Sequence, residues 1–216
     1  MNAIIQKLHN LNKLDLTLPS SKKSIQINKI NLELQSQFEN FAKDITNELT
    51  ASTKYIQFIT THIRKEAKED INYIDKLYIL LQWFNDLKEE EKIDCNFTDT
   101  DITIPDFTIK FDTTDMIIKF ELPTLVKELA FLKYILTTKK DDMKSVDVLF
   151  YFIFRFIQSI NVDDDIILAE NIDICEEVYK VLSMKKVTSI TDHLDDAFES
   201  IEPIRNLEVD PRVFFA

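Results

Sequence analysis

Glycine is missing from this chain of 216 residues, although an average usage of about 7% would give roughly 15 glycines in a chain of this length. Three widespread kinds of site need glycine for their backbone geometry. They are the phosphate-binding P-loop, the dinucleotide-binding turn and the nucleophile elbow of α/β-hydrolases. The sequence therefore excludes these nucleotide-binding and hydrolytic motifs.

Cysteines and long apolar runs are also scarce. The two cysteines, Cys95 and Cys175, stand far apart, so they form neither a disulfide framework nor a CxxC metal pair. The longest apolar run, Val148–Phe154, is much shorter than the roughly 20 residues of a transmembrane helix. The first residues show no apolar stretch followed by a small-residue cleavage site. We therefore expect synthesis in a reducing cell interior and no membrane insertion.

Basic charge is in deficit, and the deficit lies in one half of the chain. The formal net charge is −12; residues 1–92 carry 13 basic and 13 acidic side chains, whereas residues 93–216 carry 13 and 25. Nucleic-acid binders show the opposite sign, because neutralisation of phosphates drives their affinity. Nucleic acid is therefore not an expected partner. Two explanations of the acidity stay open: a solvated face that maintains solubility, or a docking face for a basic partner.

The change in charge also predicts the organisation of the chain. Residues 1–92 are predicted to form a net-neutral part with a hairpin and helices. Residues 93–216 are predicted to form an acidic α+β half. We expect the two parts to pack against each other as one compact unit.

In residues 1–92 the spacing of apolar side chains changes from two to three or four. Leucines and isoleucines that alternate with polar residues predict a β-hairpin over Lys13–Ile30. Apolar residues at helical spacing then predict three helices, which begin at Asn31, near Thr53 and around Asp70. Trp83, in the third helix, is expected in the core.

Residues 93–216 combine strand and helix patterns. Alternation around Phe107 and Met116 predicts two strands joined by a turn at Asp112–Asp115, and Pro123 with Thr124 opens a helix. The nearly all-apolar segment Val146–Ile160 is interpreted as one helix that is buried on most sides.

The last part of the pattern consists of short elements. A turn and a short strand are predicted over Asp163–Leu168, and aspartate or asparagine must supply any backbone position with positive φ. Asp173 and Ser189 each begin a capping-box spacing, which predicts helix starts at these two residues. The predicted fold is α+β: mostly helical, with an N-terminal β-hairpin and a small central antiparallel sheet.

The motifs form no catalytic, cofactor-binding or metal-binding constellation. The histidines His9, His62 and His193 lie in separate segments, and none belongs to an HExxH motif. The Asp163–Asp165 triplet lacks the alternating ligands and the glycine of an EF-hand loop, so a solvated turn is favoured. Cys95 has no neighbouring cysteine or histidine to complete a metal site. We therefore predict a protein without catalytic residues, cofactor or metal.

Four segments with recognisable features follow one another along most of the chain. The first has a leucine–x–leucine–proline–serine strand, a basic turn, a second strand and a helix start with glutamine. The second has an aspartate before an apolar helix, the third a strand ending in proline before a helix, and the fourth an acidic stretch with short elements. They span Leu16–Gln35, Ile74–Gln82, Ile117–Thr124 and Phe156–Pro203. In this order the chain resembles the baseplate hub and hub-assembly proteins of T-even-like contractile-tailed bacteriophages.

The resemblance implies a non-enzymatic structural or assembly protein of a phage tail baseplate. Such a protein would be made in the host cytoplasm, lie in the virion and contact other baseplate or tail proteins. Some family members carry a CxxC-type zinc ribbon in mid-chain, but Cys95 stands alone, so no zinc ligands are carried over. Two alternatives stay open: a transient tail-assembly chaperone absent from the mature particle, and an enzyme with an unrecognised carboxylate site.

Under the baseplate hypothesis, exposed apolar side chains dock the partners while the acidic C-terminal half sets their orientation. The candidate contact residues are Phe150, Phe152, Phe154, Phe156, Phe214 and Phe215.

Overall fold

A computed structural model of the chain describes residues 12–32, 35–36, 40, 71–88, 90–94, 102–138 and 144–209. Described residues of Met1–Thr100 and Ile201–Ala216 cluster as a first compact unit, and those of Asp101–Ser200 cluster as a second. The predicted α+β class is confirmed, with an N-terminal hairpin, a four-stranded antiparallel sheet and several helices. The expectation that residues 1–92 and 93–216 pack as one unit stays a prediction.

Pairs of strands are each followed by one or more helices along the described chain. The strands are β1 Lys13–Thr17, β2 Ser24–Asn28, β3 Phe107–Lys110, β4 Asp115–Phe120, β5 Ile157–Val162 and β6 Asp165–Leu168. The helices are α1 Tyr73–Leu87, α2 Leu125–Thr138, α3 Ser145–Phe154, α4 Ile172–Val181, α5 Met184–Ala197 and α6 Glu202–Val209, with a 3₁₀ turn at Glu199–Ile201.

The predicted hairpin of the first unit is confirmed. β1 and β2 pair antiparallel, and their alternation buries Leu16, Ile25 and Ile27 on one face. The turn between them needs one residue in the left-handed region, and Lys22 supplies it with a φ of 56°. The expectation that aspartate or asparagine supplies every position of positive φ is therefore wrong at this turn. Lysine is an unfavourable residue for this conformation, but the chain has no glycine to offer.

Helix α1 packs beneath this hairpin and confirms the helix predicted from about Asp70. Its indole-bearing residue, Trp83, is fully buried as predicted, and Nε1 donates to the backbone carbonyl of Asn28 at 2.9 Å. Asp75 is also buried: its Oδ1 accepts from the backbone N–H of Ser20 at 2.9 Å, and its Oδ2 accepts from that of Ser21 at 3.2 Å. A carboxylate thus holds the hairpin turn to the helix.

The sheet of the second unit is antiparallel in the order β3-β4-β5-β6. One face carries Ile109, Met116, Ile118 and Ile160, all of which are buried. Helix α5 lies against β3, on this face. On the other face Ile166 and Leu168 of β6 are exposed. Both predicted strands around Phe107 and Met116, and their connecting turn, are confirmed.

The prediction of one helix over Val146–Ile160 is wrong. Helix α3 ends at Phe154, a turn follows, and β5 begins at Ile157. A segment that is apolar at nearly every position is compatible with a buried helix and with a buried strand, so the spacing of apolar residues does not distinguish the two. The ladder to β4 decides the second half, where Ile160 pairs with Ile118.

The helix predicted to open at Pro123 and Thr124 is confirmed as α2, and the hydroxyl of Thr124 caps it by accepting a backbone N–H at 3.3 Å. Two other predicted helix starts need correction. Asp173 lies within the first turn of α4 rather than ahead of it. Ser183 precedes α5, so Ser189 lies inside that helix, where its hydroxyl bonds a carbonyl one turn back. Capping patterns recur by chance in a chain rich in short polar residues, and the tertiary packing selects among them.

Several predicted features lie outside the described residues. These are the helix near Thr53, most of the helix from Asn31, and the side chains of Cys95, Phe214 and Phe215.

Candidate functional site

Most of the phenylalanines predicted as partner contacts are core residues. Phe150, Phe154 and Phe156 are each 2% exposed or less. The rings of Phe150 and Phe154 lie 4.7 Å apart between centroids, and Phe156 packs on Phe198 at 5.2 Å. The expectation that these three side chains are exposed is therefore wrong, because α3 and the start of β5 run through the interior of the second unit. Phe152 is half-buried.

A buried ion pair lies among these rings. Arg155 is 1% exposed and Glu128 is 0% exposed, and Nη1 of the arginine donates to Oε1 of the glutamate at 3.3 Å. The same nitrogen donates to the hydroxyl of Tyr151 at 3.2 Å, and the guanidinium carbon lies 4.8–4.9 Å from the ring centroids of Tyr151, Phe152 and Phe156. Buried charges require such partners. The pair ties α2 to the end of α3, which is a structural role.

The histidine within the described chain is also structural. His193 is half-buried, and its ring lies 4.9 Å from that of Phe107 and 5.7 Å from that of Phe120 between centroids. Its Nε2 is 2.8 Å from the carbonyl oxygen of Pro105. His9 and His62 lie outside the described residues.

The aspartate triplet forms the exposed turn between β5 and β6, as predicted. Asp163 adopts a φ of 51°, so an aspartate supplies the left-handed position of this turn. Its carboxylate accepts a hydrogen bond from the hydroxyl of Thr114. Within the described ranges, no three side chains of histidine, cysteine, aspartate or glutamate come together as a metal site.

A groove of about 560 Å³ opens at the end of the sheet where β5 begins and β6 ends. Its lining comes from the β4–α2 segment, the first turns of α2, and the two strand ends together with the start of α4. The lining residues are Glu121, Thr124, Val126, Lys127, Ala130, Phe131, Gln158, Leu168, Ala169, Glu170 and Ile172. A cavity of this size accommodates a few side chains of a partner.

Lys127 is the cation in this lining. Its Nζ donates to Oε1 of Glu121 at 2.7 Å and to the backbone carbonyl of Ile157. Burial lowers the pKa of Lys127, while the hydrogen bond and the charge of Glu121 act in the opposite direction. Both bonds stabilise the ammonium form, so the arrangement fastens α2 to the start of β5.

Cys175 lies in α4 and is buried. Burial raises the pKa of its thiol to about 11, and the positive charge of Lys127 only partly opposes that shift. A thiol with a raised pKa is a poor nucleophile at neutral pH. The cysteine therefore fits a packing role.

The rim of the groove is apolar and exposed. Val126 on α2 and Leu168 on β6 are each 50% exposed, and both line the groove. Ile166 is 65% exposed and lies two residues before Leu168, on the same face of the strand. In the neighbouring strands, the side chain of Asn161 lies between Ile166 and Ile117, which is also exposed. Val126, Leu168 and Ile166 thus form an apolar strip from the groove onto the open sheet face, and Asn161 separates this strip from Ile117.

The strip lies on an edge strand, and its two ends are acidic. In the described part of the chain β6 pairs with β5 alone. Asp163–Asp165 are exposed at the start of β6, and Glu170 and Asp173 are exposed beyond its end. We call this surface the β6 edge. It consists of strand β6 and the apolar strip formed by Val126, Ile166 and Leu168.

Sequence patterns did not indicate the β6 edge. A single exposed leucine or valine is ordinary on a protein surface, so neither residue stands out alone. That Leu168 and Val126 lie side by side is evident only when the pairing of β5 with β6 and the position of α2 are known. The short strand itself was predicted within Asp163–Leu168.

Comparisons of this chain with protein-family models, with curated proteins and with solved structures found no match. Among the residues that the structure describes, no helix is long and apolar enough to cross a membrane. The groove and the β6 edge are therefore the features on which a functional assignment is based.

Proposed function

We propose that this chain is a non-enzymatic structural or assembly protein of a contractile-tail baseplate, and that it acts by contacting other tail proteins. The resemblance of its four segments to hub and hub-assembly proteins provides the biological setting. The observation that carries the proposal is the exposed apolar β6 edge beside a groove. Contiguous apolar surface bordered by charged groups is characteristic of protein interaction sites.

The β6 edge replaces the buried phenylalanines as the proposed contact surface. Stable interfaces bury about 1,200–2,000 Å² in total, so the groove alone is too small and the adjoining sheet face contributes. The acidic ends of the strand disfavour acidic partners and orient basic ones.

The lining of the groove suits the binding of apolar side chains. Val126, Leu168 and Ile172 line it, and the amine of Lys127 is engaged by Oε1 of Glu121 and by the carbonyl of Ile157. The thiol of Cys175, outside that lining, is buried with a raised pKa, which makes it a poor nucleophile.

Quantitative mass spectrometry of phage particles washed at high salt tests the proposal. We expect a stoichiometric signal for this chain alongside the tail proteins. If the chain is absent from particles but is bound to a tail protein in the infected lysate, it is the transient chaperone. If it neither enters particles nor binds a tail protein, the proposal is wrong.

A matched pair of variants connects the result to the surface. Leu168→Lys places a charge in the apolar strip, and Val181→Lys makes a similar change at an exposed position outside the groove lining. We expect the first variant to lower incorporation into particles at least tenfold and the second to leave it unchanged. Equal incorporation of both variants contradicts the assignment of the surface.

A further inference from the structure

We infer that the β6 edge binds an extended, basic segment of a partner protein, which adds to the sheet as a fifth strand and inserts apolar side chains into the groove. This inference deepens the proposed function and rests on it. It names both the mode of contact and the chemistry of the partner segment.

The backbone of β6 offers free hydrogen-bonding positions along its outer side. The N–H of Ala169 donates to the carbonyl of Gln158 at 3.1 Å, and this pair continues the register of β6 on β5. In an antiparallel pair, successive residues alternate between the partner strand and the opposite side. The N–H groups of Ile166 and Leu168, and the carbonyl of Ile166, therefore point away from β5.

The edge lacks three of the devices that block strand addition. Natural edge strands carry lysine, proline or bulges that prevent pairing with another chain. β6 has the sequence Asp-Ile-Ile-Leu, without lysine or proline, and its register with β5 is regular. Ile166 and Leu168, whose backbone N–H groups point away from β5, also carry the exposed apolar side chains of the strand.

The groove explains how a short strand would hold a partner. β6 has only four residues, so backbone bonds alone give a weak contact. Leu168 belongs both to the edge and to the groove lining, where Val126 and Ile172 continue the apolar surface. A side chain on every second residue of the added strand would therefore meet apolar surface, which is how strand addition gains specificity.

Charge selects a basic partner segment. Asp163, Asp164 and Asp165 stand at one end of the strand, with Glu170 and Asp173 beyond the other. The exposed lysines on the same sheet face, Lys119 on β4 and Lys110 on β3, lie two and three strands away from β6. A segment with lysine or arginine at its ends is therefore complementary.

The same charges disfavour a second copy of this chain. A symmetric antiparallel pair that used the outward groups of Ile166 and Leu168 would place Asp164 of one copy opposite Glu170 of the other. This like-charge contact would occur twice, between molecules that each carry a net charge of −12. Like charges directly opposite each other destabilise strand pairing.

Binding of synthetic peptides to the isotope-labelled full chain tests the inference. The probe is an acetylated, amidated heptapeptide of alternating lysine and valine, and the matched control replaces each lysine with glutamate. We expect the basic peptide to shift the NMR signals of the Ile166 and Leu168 amides and to slow their hydrogen exchange. Binding at another surface, equal binding of the acidic peptide, or no shift at peptide concentrations on the order of 1 mM overturns the inference.

Backbone methylation separates strand addition from simple apolar contact. A peptide that is N-methylated at every second residue keeps unmethylated N–H groups along one of its two edges. It should still bind through that edge, whereas methylation of every residue should abolish binding. If the fully methylated peptide binds equally well, no added strand forms.

Two variants at one position apply the same test to the protein. Ile166→Pro removes an outward N–H that β5 does not use, so proline is tolerated there. Ile166→Thr keeps the N–H and a β-branched side chain. We expect affinity to fall about fivefold more for the proline variant than for the threonine variant, which corresponds to one hydrogen bond. Equal affinity of the two variants contradicts the inference. If the proline variant unfolds, binding of the methylated peptides to the wild-type chain decides the question instead.

Incorporation of these variants into particles distinguishes the two proposals. If the wild-type chain enters particles and Ile166→Pro enters equally well, strand addition is wrong and the baseplate function stands. If the wild-type chain neither enters particles nor binds a tail protein, the baseplate function fails whatever the peptides do.

Discussion

Replacing Glu128 by glutamine should destabilise the second unit strongly. The carboxylate is fully buried and lies 3.3 Å from Nη1 of Arg155, which is itself almost fully buried. Glutamine keeps the size and one acceptor oxygen but removes the negative charge of Glu128 from the buried guanidinium. Removing one partner of a buried pair costs about 3–5 kcal/mol. We expect the lower end, about 3 kcal/mol, because the rings of Tyr151, Phe152 and Phe156 also attract the cation.

Urea unfolding followed by circular dichroism, together with hydrogen exchange of the β5 amides, measures this loss. Trp83 belongs to the first unit, so its fluorescence is not the signal for this experiment. The matched control is Glu177→Gln, which removes an exposed carboxylate that lies 2.8 Å from Lys180. Exposed pairs contribute about 0–1 kcal/mol, so the control should change stability little.

A double variant separates charge from packing. Glu128→Leu combined with Arg155→Met replaces both charges by apolar groups and should recover most of the lost stability. A loss below about 1 kcal/mol for Glu128→Gln, similar to the control, refutes the importance of the charge pair. A double variant as unstable as the single one would show that shape, not charge, determines the effect.

Three further predictions concern other contacts in the structure. Asp75→Asn should weaken the hydrogen bonds that the backbone N–H groups of Ser20 and Ser21 donate to this side chain. The expected loss in the free energy of unfolding is about 1–3 kcal/mol, measured by urea unfolding with Trp83 fluorescence; an unchanged midpoint contradicts this. Burial lowers the pKa of Lys127 from its ordinary 10.5, so the unfolded chain binds that proton more tightly and the free energy of unfolding should rise as pH increases toward 10.5. Lys127→Met should remove this rise, and an identical pH profile contradicts the assignment. Lys22→Gly should stabilise by about 1 kcal/mol because Lys22 has a positive φ, whereas the control Lys23→Gly should not, and thermal unfolding compares the two.

Local patterns predict the elements whose burial has a distinct period. Leu16 and Ile25 alternate with polar residues and lie on the buried face of the hairpin. Ile74 and Leu81 repeat at helical spacing and face the interior from α1. In these segments one spacing buries the apolar set and the other spacing exposes it, so sequence decides the structure.

Sequence-based prediction fails where the spacing of apolar residues carries no information, and where residues distant in sequence come together. Val146–Ile160 is apolar at nearly every position, and pairing with β4 decides where the helix ends. The β6 edge depends on α2 and β6, which are about 40 residues apart in sequence. The exposure of Leu168 beside Val126 results from that packing, and no local pattern contains it.

The lack of glycine connects the fold to the proposed contact. The two-residue turn between β5 and β6 requires a backbone with positive φ, and Asp163 provides it because aspartate tolerates that region better than most residues. The residue that allows β6 to fold back on β5 thereby also places a carboxylate at the end of the open edge. Glycine would relax the turn but remove that charge and the acceptor of the Thr114 hydroxyl. Turn geometry and partner charge therefore constrain the same position, and a substitution there should change both stability and the preference for basic segments.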